Sequence, residues 1–231
     1  MRREELIALS IKYQGEYHKL IQAIQKEEKI KGISLDNCLT IMDENYPSAF
    51  KVLKYPPLVI YYEGDLSLLK KKIIAVIGSR KACDYALRMT KKLVNQKDEI
   101  VISGVAKGID ALAHKSAKET IGILGCGLDV YYPKENKKLI DNIKRNHLLL
   151  SEYPSSSLPL AHHFPFRNRL IIALASEVYI MQSSFKSGTM TSIKEALEQG
   201  KEVYVLPYRL DDLEGECNNT LIEEGANILR I

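Results

Sequence analysis

The residues best suited to chemistry in this sequence sit in short glycine turns. Gly78-Ser79-Arg80 places a hydroxyl and a guanidinium directly after the apolar run Ile73–Ile77. An arginine so placed would grip a phosphate through two parallel hydrogen bonds. Lys186-Ser187-Gly188-Thr189 brings two hydroxyls and a lysine to the start of an expected helix. The first N–H groups of a helix lack partners and carry the positive end of its dipole, which suits an anion. Ser103-Gly104, with Lys107 just beyond, and Gly125-Cys126-Gly127 end two more apolar runs. Glycine lets a ligand approach the backbone closely, although tight turns also use it for geometry alone. The plainer readings are a capping Ser79 beside a surface Arg80, and an ordinary N-cap at Ser187.

Two phosphate signatures are missing. The dinucleotide fingerprint fails because Val130 stands where its third glycine belongs, and no loop ends in Gly-Lys-Ser/Thr. NAD and ATP therefore lose ground as ligands, and no cofactor is expected. The densest polar and aromatic stretch is His162-His163-Phe164-Pro165-Phe166-Arg167-Asn168-Arg169. Aromatics beside arginines suit base stacking plus phosphate contact on a single strand. The competing reading is a loop anchored in the core by a phenylalanine, with Asn168 and an arginine holding its neighbours. Asp110 and His114 share a helix face, and Ser79 or Ser103 would complete a hydrolase-like trio. No Gly-x-Ser-x-Gly elbow accompanies them, so catalysis is not expected, and Asp110 is read as bonding a nearby turn.

The elements that must position these turns follow from the apolar pattern. Short continuous apolar runs at 73–77, 100–102, 120–124, 148–151, 177–181, 202–206 and 227–229 suit strands buried on both faces. Helices are expected between them, near 85–95, 108–118, 136–145, 167–175, 189–199 and 217–224. The alternation predicts an α/β fold, an extended Rossmann-like domain with a mostly parallel sheet over residues 56–231. Ligands of such sheets bind at the carboxyl ends of the strands, where these glycines fall. Residues 1–55 read as a small, largely helical N-terminal region. A break is expected at Gly15, a short strand at 38–42 and a short helix after Tyr46-Pro47. Another strand is expected at 58–62, then a helix capped by Asp65.

The bulk numbers bound the rest. The chain has 231 residues, 45% hydrophobic and 27% charged, as ordinary globular proteins do. The net charge of +4 permits an anionic partner without demanding one. No apolar run reaches the roughly 18 residues of a membrane span. No apolar stretch follows the basic pair Arg2-Arg3, so a cytoplasmic location without membrane partners is expected. The four cysteines, Cys38, Cys83, Cys126 and Cys217, lie far apart. They are expected to be free thiols, mostly buried, and because metal fingers need close cysteine pairs no metal site is expected.

Six motifs occur in order: Gly78-Ser79-Arg80; Ser103-Gly104-Val105-Ala106-Lys107-Gly108-Ile109-Asp110; Gly125-Cys126-Gly127-Leu128-Asp129 with Tyr132-Pro133; Ser151-Glu152-Tyr153-Pro154; Phe164-Pro165-Phe166-Arg167-Asn168-Arg169; and Lys186-Ser187-Gly188-Thr189. From about Tyr46 to Ile231 the sequence resembles the DNA-processing protein A family (DprA, also called Smf). The resemblance implies a single-stranded DNA-binding protein that is not an enzyme, forms homodimers and loads the RecA recombinase during natural transformation. It implies that Arg80 contacts phosphate, that Phe164, Arg167, Asn168 and Arg169 form a strand-binding segment, and that Lys186 to Thr189 form a second phosphate turn. Phosphate contacts are thus expected from Arg80, Arg169, Lys186 and the N–H groups of Gly188 and Thr189, with bases stacking on Phe164. One departure is Leu206-Pro207-Tyr208, where the family usually has Val-Pro-Gly. The alternatives are a nucleotide phosphoribohydrolase and a small-nucleotide sensor. The former needs a glutamate where this chain has Ser192.

Overall fold

The computed structural model describes residues 1–231. In chain order, helices α1 (Arg3–Lys12) and α2 (Tyr17–Gln25) precede strand β1 (Cys38–Thr40), the short helix α3 (Ser48–Lys51) and strand β2 (Val59–Gly64). The alternating part then runs β3 (Ile73–Ile77), α4 (Asp84–Gln96), β4 (Ile100–Ser103), α5 (Ile109–Ser116), β5 (Thr120–Leu124), α6 (Lys137–Asn146) and β6 (Leu148–Ser151). It continues with α7 (His163–Leu174), β7 (Glu177–Ile180), α8 (Gly188–Glu198), β8 (Glu202–Val205), α9 (Glu216–Glu223) and β9 (Asn227–Ile228). All strands join one sheet in the order β1-β2-β6-β5-β4-β3-β7-β8-β9. The pairs from β6 to β9 are parallel, and β2 runs antiparallel to both β6 and β1.

The continuous apolar runs are explained by burial on both faces. Ile73, Ala75 and Ile77 join Ile102, Ile123, Leu150 and Val178 under α7, α8 and α9. The alternate residues Ile74 and Val76 pack with Val101, Ala86 and Leu93 beneath α4 and α5. Farther along that face, Leu6, Ile7 and Leu9 of α1 and Leu20 of α2 share a cluster with Leu124, Ile140 and Leu149. The N-terminal helices therefore cover the sheet itself, and β1 and β2 extend it. Gly15 breaks the first two helices as expected. Its φ is +73°, and an added Cβ would fall on the carbonyl oxygen of Glu152. Asp65 caps the 3₁₀ turn after β2 by accepting from the Ser67 N–H at 2.8 Å.

Two local expectations change. Helix α7 starts at His163, one turn before the expected residue 167, so the aromatic-arginine stretch is helical. Pro165 misleads at the sequence level, yet proline is tolerated in a first helical turn, where its missing N–H costs nothing. At Tyr208, where the family usually has glycine, the side chain is buried and its hydroxyl donates to the Met181 carbonyl at 3.1 Å. Asn219 closes that turn by accepting from the Tyr208 N–H and donating to its carbonyl.

The sheet order creates the place for a site. From β3 the chain winds outward through β4, β5 and β6, then returns to β7 and winds the opposite way. The connections leaving the carboxyl ends of the paired strands β3 and β7 thus diverge, opening a crevice at the switch point. Phe50 of α3 is fully buried in the core under α7 and fastens the N-terminal region to that layer. Phe50→Ala is expected to lower stability by about 3–5 kcal/mol, read as a shifted urea midpoint at unchanged slope.

Candidate nucleic-acid interface

A groove of about 660 Å³ occupies that crevice, and three parts of the chain supply most of its lining. The turn after β3 supplies Gly78 to Lys81, α7 supplies Phe164, Asn168 and Ile171, and the start of α8 supplies Ser187, Gly188, Thr189 and Ser192. Phe164, Arg167, Asn168 and Ile171 lie at i, i+3, i+4 and i+7, one face of α7, and all line it. A smaller pocket of about 80 Å³ continues past Gly104, Lys107 and Pro133.

Arg80 is exposed, with its guanidinium carbon 5.7 Å from the centre of the Phe164 ring. No salt bridge occupies it, so the cation is free to meet an anion. Its turn is closed from outside by Gly108, at φ +72°, where an added Cβ would meet the backbone of Ser79 and Arg80. Ser79 accepts from the Lys81 N–H at 3.1 Å and shapes the turn. Lys186 is exposed, and Gly188 has open space where a Cβ would stand, so a ligand could approach the first turn of α8 without obstruction. Asn168 reaches across from α7 to donate to the Gly188 carbonyl at 3.4 Å.

Several expected contacts take other roles. Arg167 is only 4% exposed, and it donates to the Gly104 carbonyl at 2.8 Å and to the Ile123 carbonyl. An added Cβ on Gly104 would lie 2.5–2.7 Å from that guanidinium, so this glycine makes room for Arg167. Gly78, Gly125 and Gly127 are likewise faced by protein atoms: Ile109, Phe164, and the backbone of Pro154 and Ser156. Arg169 is 3% exposed and points away from the groove. It pairs with buried Glu152 at 2.8 Å, donates to the carbonyls of Tyr55 and Phe166 at 2.9 Å, and its guanidinium lies 3.8 Å from the Phe166 ring. With its donors committed, it holds α7 in place and is not positioned to contact a phosphate. Ser103 is fully buried and donates to the Val76 carbonyl at 2.7 Å. Lys107, on the rim, is paired with Glu135 at 2.5 Å. Of the two phenylalanines, Phe164 faces the groove, and Phe166 packs against Tyr17 and Tyr55. Tyr132 has no expected role in the sequence, yet it is exposed on the groove wall with its ring 5.2 Å from Phe164. Its place in the Tyr132-Pro133 motif after the Gly125 turn is the signal it carries.

The electrostatics favour an anion. Burial pulls the Arg167 pKa down to about 10, still a cation at neutral pH, and Asp110 is the acidic group that works against that shift. Asp110 is itself buried, is pushed above its ordinary value by burial, and accepts from the Ala106 N–H at 3.3 Å, the turn-bonding role expected of it. His114, the other half of the imagined hydrolase trio, lies under the sheet with Nδ1 2.6 Å from the Thr120 hydroxyl and its other ring nitrogen unpartnered. All four cysteines are free, and three of them are buried.

A family model described as DNA recombination-mediator protein A matches residues 37–231. This chain belongs to that family. The DprA family match extends to individual relatives. The chain is 38% identical over 197 residues to DNA processing protein DprA of Streptococcus pneumoniae, covering 82% of this chain and 70% of that one. It is 34% identical over 239 residues to DprA of Bacillus subtilis, covering 98% and 78% respectively. Among solved structures, DprA of S. pneumoniae superposes with a TM-score of 0.81 at 31% identity, covering 98% of this chain and 89% of that one. DNA processing protein A of Helicobacter pylori, described for its single-stranded DNA binding mode, superposes at 0.76 with 38% identity, covering 82% and 89%. The Rossmann-like expectation and the family resemblance both hold.

Two outcomes follow from the buried charges. Arg169→Ala strands Glu152 in the core and is expected to cost about 3–5 kcal/mol in urea unfolding, with Arg169→Met/Glu152→Leu recovering much of it. Burial drives the His114 pKa from 6.5 to about 3 in the folded chain. As pH falls below about 6.5, the unfolded chain therefore takes up a proton that the folded one refuses. This contribution is fully present above that pH and is lost progressively down to about 3. Between pH 7 and 5 the native chain should lose about 2 kcal/mol more than His114→Asn, measured by urea midpoints at each pH.

Proposed function

We propose that this chain binds single-stranded DNA along the groove at the β3–β7 switch point, acting as a recombination mediator without catalysing a reaction. The observation that carries this is the meeting of free Arg80, the Phe164 ring and the open N-terminus of α8 in one groove. Phosphates would be met by Arg80, Lys186 and the N–H groups of Gly188 and Thr189. A base would stack on Phe164, with Tyr132 beside it. Arg167 would act from below as a fixed positive charge. Family membership and the single-stranded DNA binding described for the H. pylori relative support the same reading.

The phosphoribohydrolase reading has less to stand on. Ser192 is buried on the groove wall where that chemistry needs a glutamate, and Asp110, the carboxylate lining the groove, is tied to the Ala106 N–H. The family resemblance adds the RecA recombinase and a second copy of this chain as partners. An unpaired sheet edge at β9, with Ile228 exposed on it and Leu197 exposed near Asn227, supports a pairing surface there. No helix is long and apolar enough to cross a membrane. A cytoplasmic location belongs to the same proposal.

Fluorescence anisotropy with an oligothymidine strand tests the proposal. Affinity is expected to fall with salt, with a log–log slope of about −0.7 per phosphate contacted. Arg80→Ala should weaken binding about tenfold or more on any sequence, since hydrogen bonds to charged groups contribute about 1.5–3 kcal/mol. It should also flatten the slope by about 0.7. Equal affinity for duplex and single strand, unchanged in Arg80→Ala, would overturn the reading.

A further inference from the structure

Behind the groove, at the start of α7, one carboxylate oxygen faces two histidines. Glu16 Oε1 lies 3.0 Å from His163 Nε2 and 2.9 Å from His162 Nε2. Glu16 belongs to the link between α1 and α2, so the cluster joins the N-terminal helices to the helix that forms one groove wall. The buried His163 ring is held rigidly. It stacks on Tyr153 with ring centres 3.8 Å apart, and its Nδ1 lies 3.1 Å from the Gly125 carbonyl oxygen.

That last contact decides the chemistry. A carbonyl oxygen only accepts, so Nδ1 must carry the proton and donate it to Gly125. In a neutral ring of that tautomer, Nε2 is a lone pair 3.0 Å from a carboxylate oxygen of Glu16. A proton, on the ring or on Glu16, or a metal ion held by both groups would bridge the two. Metal-binding histidines characteristically donate their other N–H to a carbonyl, which fixes the tautomer and aims the ligand nitrogen.

We propose that Glu16, His162 and His163 form a binding site for a first-row divalent transition metal of the zinc type. Two imidazole nitrogens and one carboxylate oxygen make up a recurrent zinc ligand set. Ligand bonds of 2.0–2.1 Å at tetrahedral angles place donors about 3.3 Å apart. The observed separations of 2.9 and 3.0 Å are within a few tenths of that edge, and all three donor atoms lie within 4.8 Å of one another. The two rings stand at 77°. The His162 side chain is 62% exposed, which gives the ion a route from solvent and leaves a fourth position open to water. Such an ion would pin the α1–α2 link to α7. The cysteine spacing gave no sign of this site because no cysteine takes part.

The test is titration of the metal-free full-length chain with Co²⁺ and then Zn²⁺. The expected result is one Co²⁺ per chain with the intense visible bands of a four-coordinate ion, displaced by one equivalent of Zn²⁺, and a thermal midpoint that rises with Zn²⁺. His162→Ala removes an exposed ligand and should leave the circular dichroism unchanged. It should weaken Co²⁺ by more than the roughly 10–100-fold that loss of an outer-shell partner costs. Glu16→Gln should do the same. Absence of saturable Co²⁺ binding would overturn the proposal and leave a proton as the bridging charge. Saturable binding unchanged in both variants would overturn it too, because the ion would then lie elsewhere.

Discussion

A guanidinium lodged beneath the ends of two strands sets the geometry of the groove. Burying a cation costs several kcal/mol unless its hydrogen bonds are met. Arg167 meets part of that demand through Nη1, which donates to the carbonyls of Gly104 and Ile123 at the carboxyl ends of β4 and β5, while its buried Nε has no partner. The guanidinium fits there because Gly104 has no side chain. Once it is seated, the first two turns of α7 must lie across the strand ends, and the i−3 and i+1 positions, Phe164 and Asn168, must face the crevice. The packing that fixes the wall also leaves a positive charge just below the floor. Structure and electrostatics are therefore one choice here, which is why a buried arginine remains informative about an anionic ligand it need not touch.

Arg169, two residues on, lies on a different face of the same helix and is committed in the other direction. Its links to Glu152, Tyr55 and the face of Phe166 tie α7 to the segment after β6 and to the N-terminal region. Opposed anchors within one helical turn resist both sliding and rotation of the helix. The N-terminal helices take part in this clamp through Tyr17, which meets Phe166 and Tyr55, and through Glu16 at the histidine pair. They behave as a brace for one wall of the groove as much as a separate region.

What was legible in the sequence follows from which physical signals are local. The parallel strands announced themselves because burial on both faces demands unbroken apolar runs, and the glycine turns marked their carboxyl ends. Arg80 was legible because a charged residue in such a turn has little to do but face solvent or a ligand. The buried arginines were not legible. Charged side chains are almost never fully buried unless paired, and the partners here are backbone carbonyls and a glutamate far off in sequence. The start of α7 was hidden by Pro165, a residue that reads as a breaker and sits lawfully in a first turn. The glycines divided for a related reason. A missing Cβ looks the same in sequence whether the space stands open, as at Gly188, or goes to a neighbouring side chain, as at Gly104.

The distribution of free charge bears on strand against mononucleotide. A mononucleotide brings one phosphate group, and one helix N-terminus would hold it. Here the exposed cations sit on separate turns, Arg80 after β3 and Lys186 after β7, with α7 between their walls and Phe164 offering one ring face. An enclosed site would press a base between two surfaces and surround its edges with hydrogen-bond partners. The groove instead sets its half-buried aromatic ring beside an exposed guanidinium, with a neighbouring tyrosine at 37° to it. Every base has a stackable face and every linkage a phosphate, so spaced cations beside aromatic rings suit a continuing strand of any sequence.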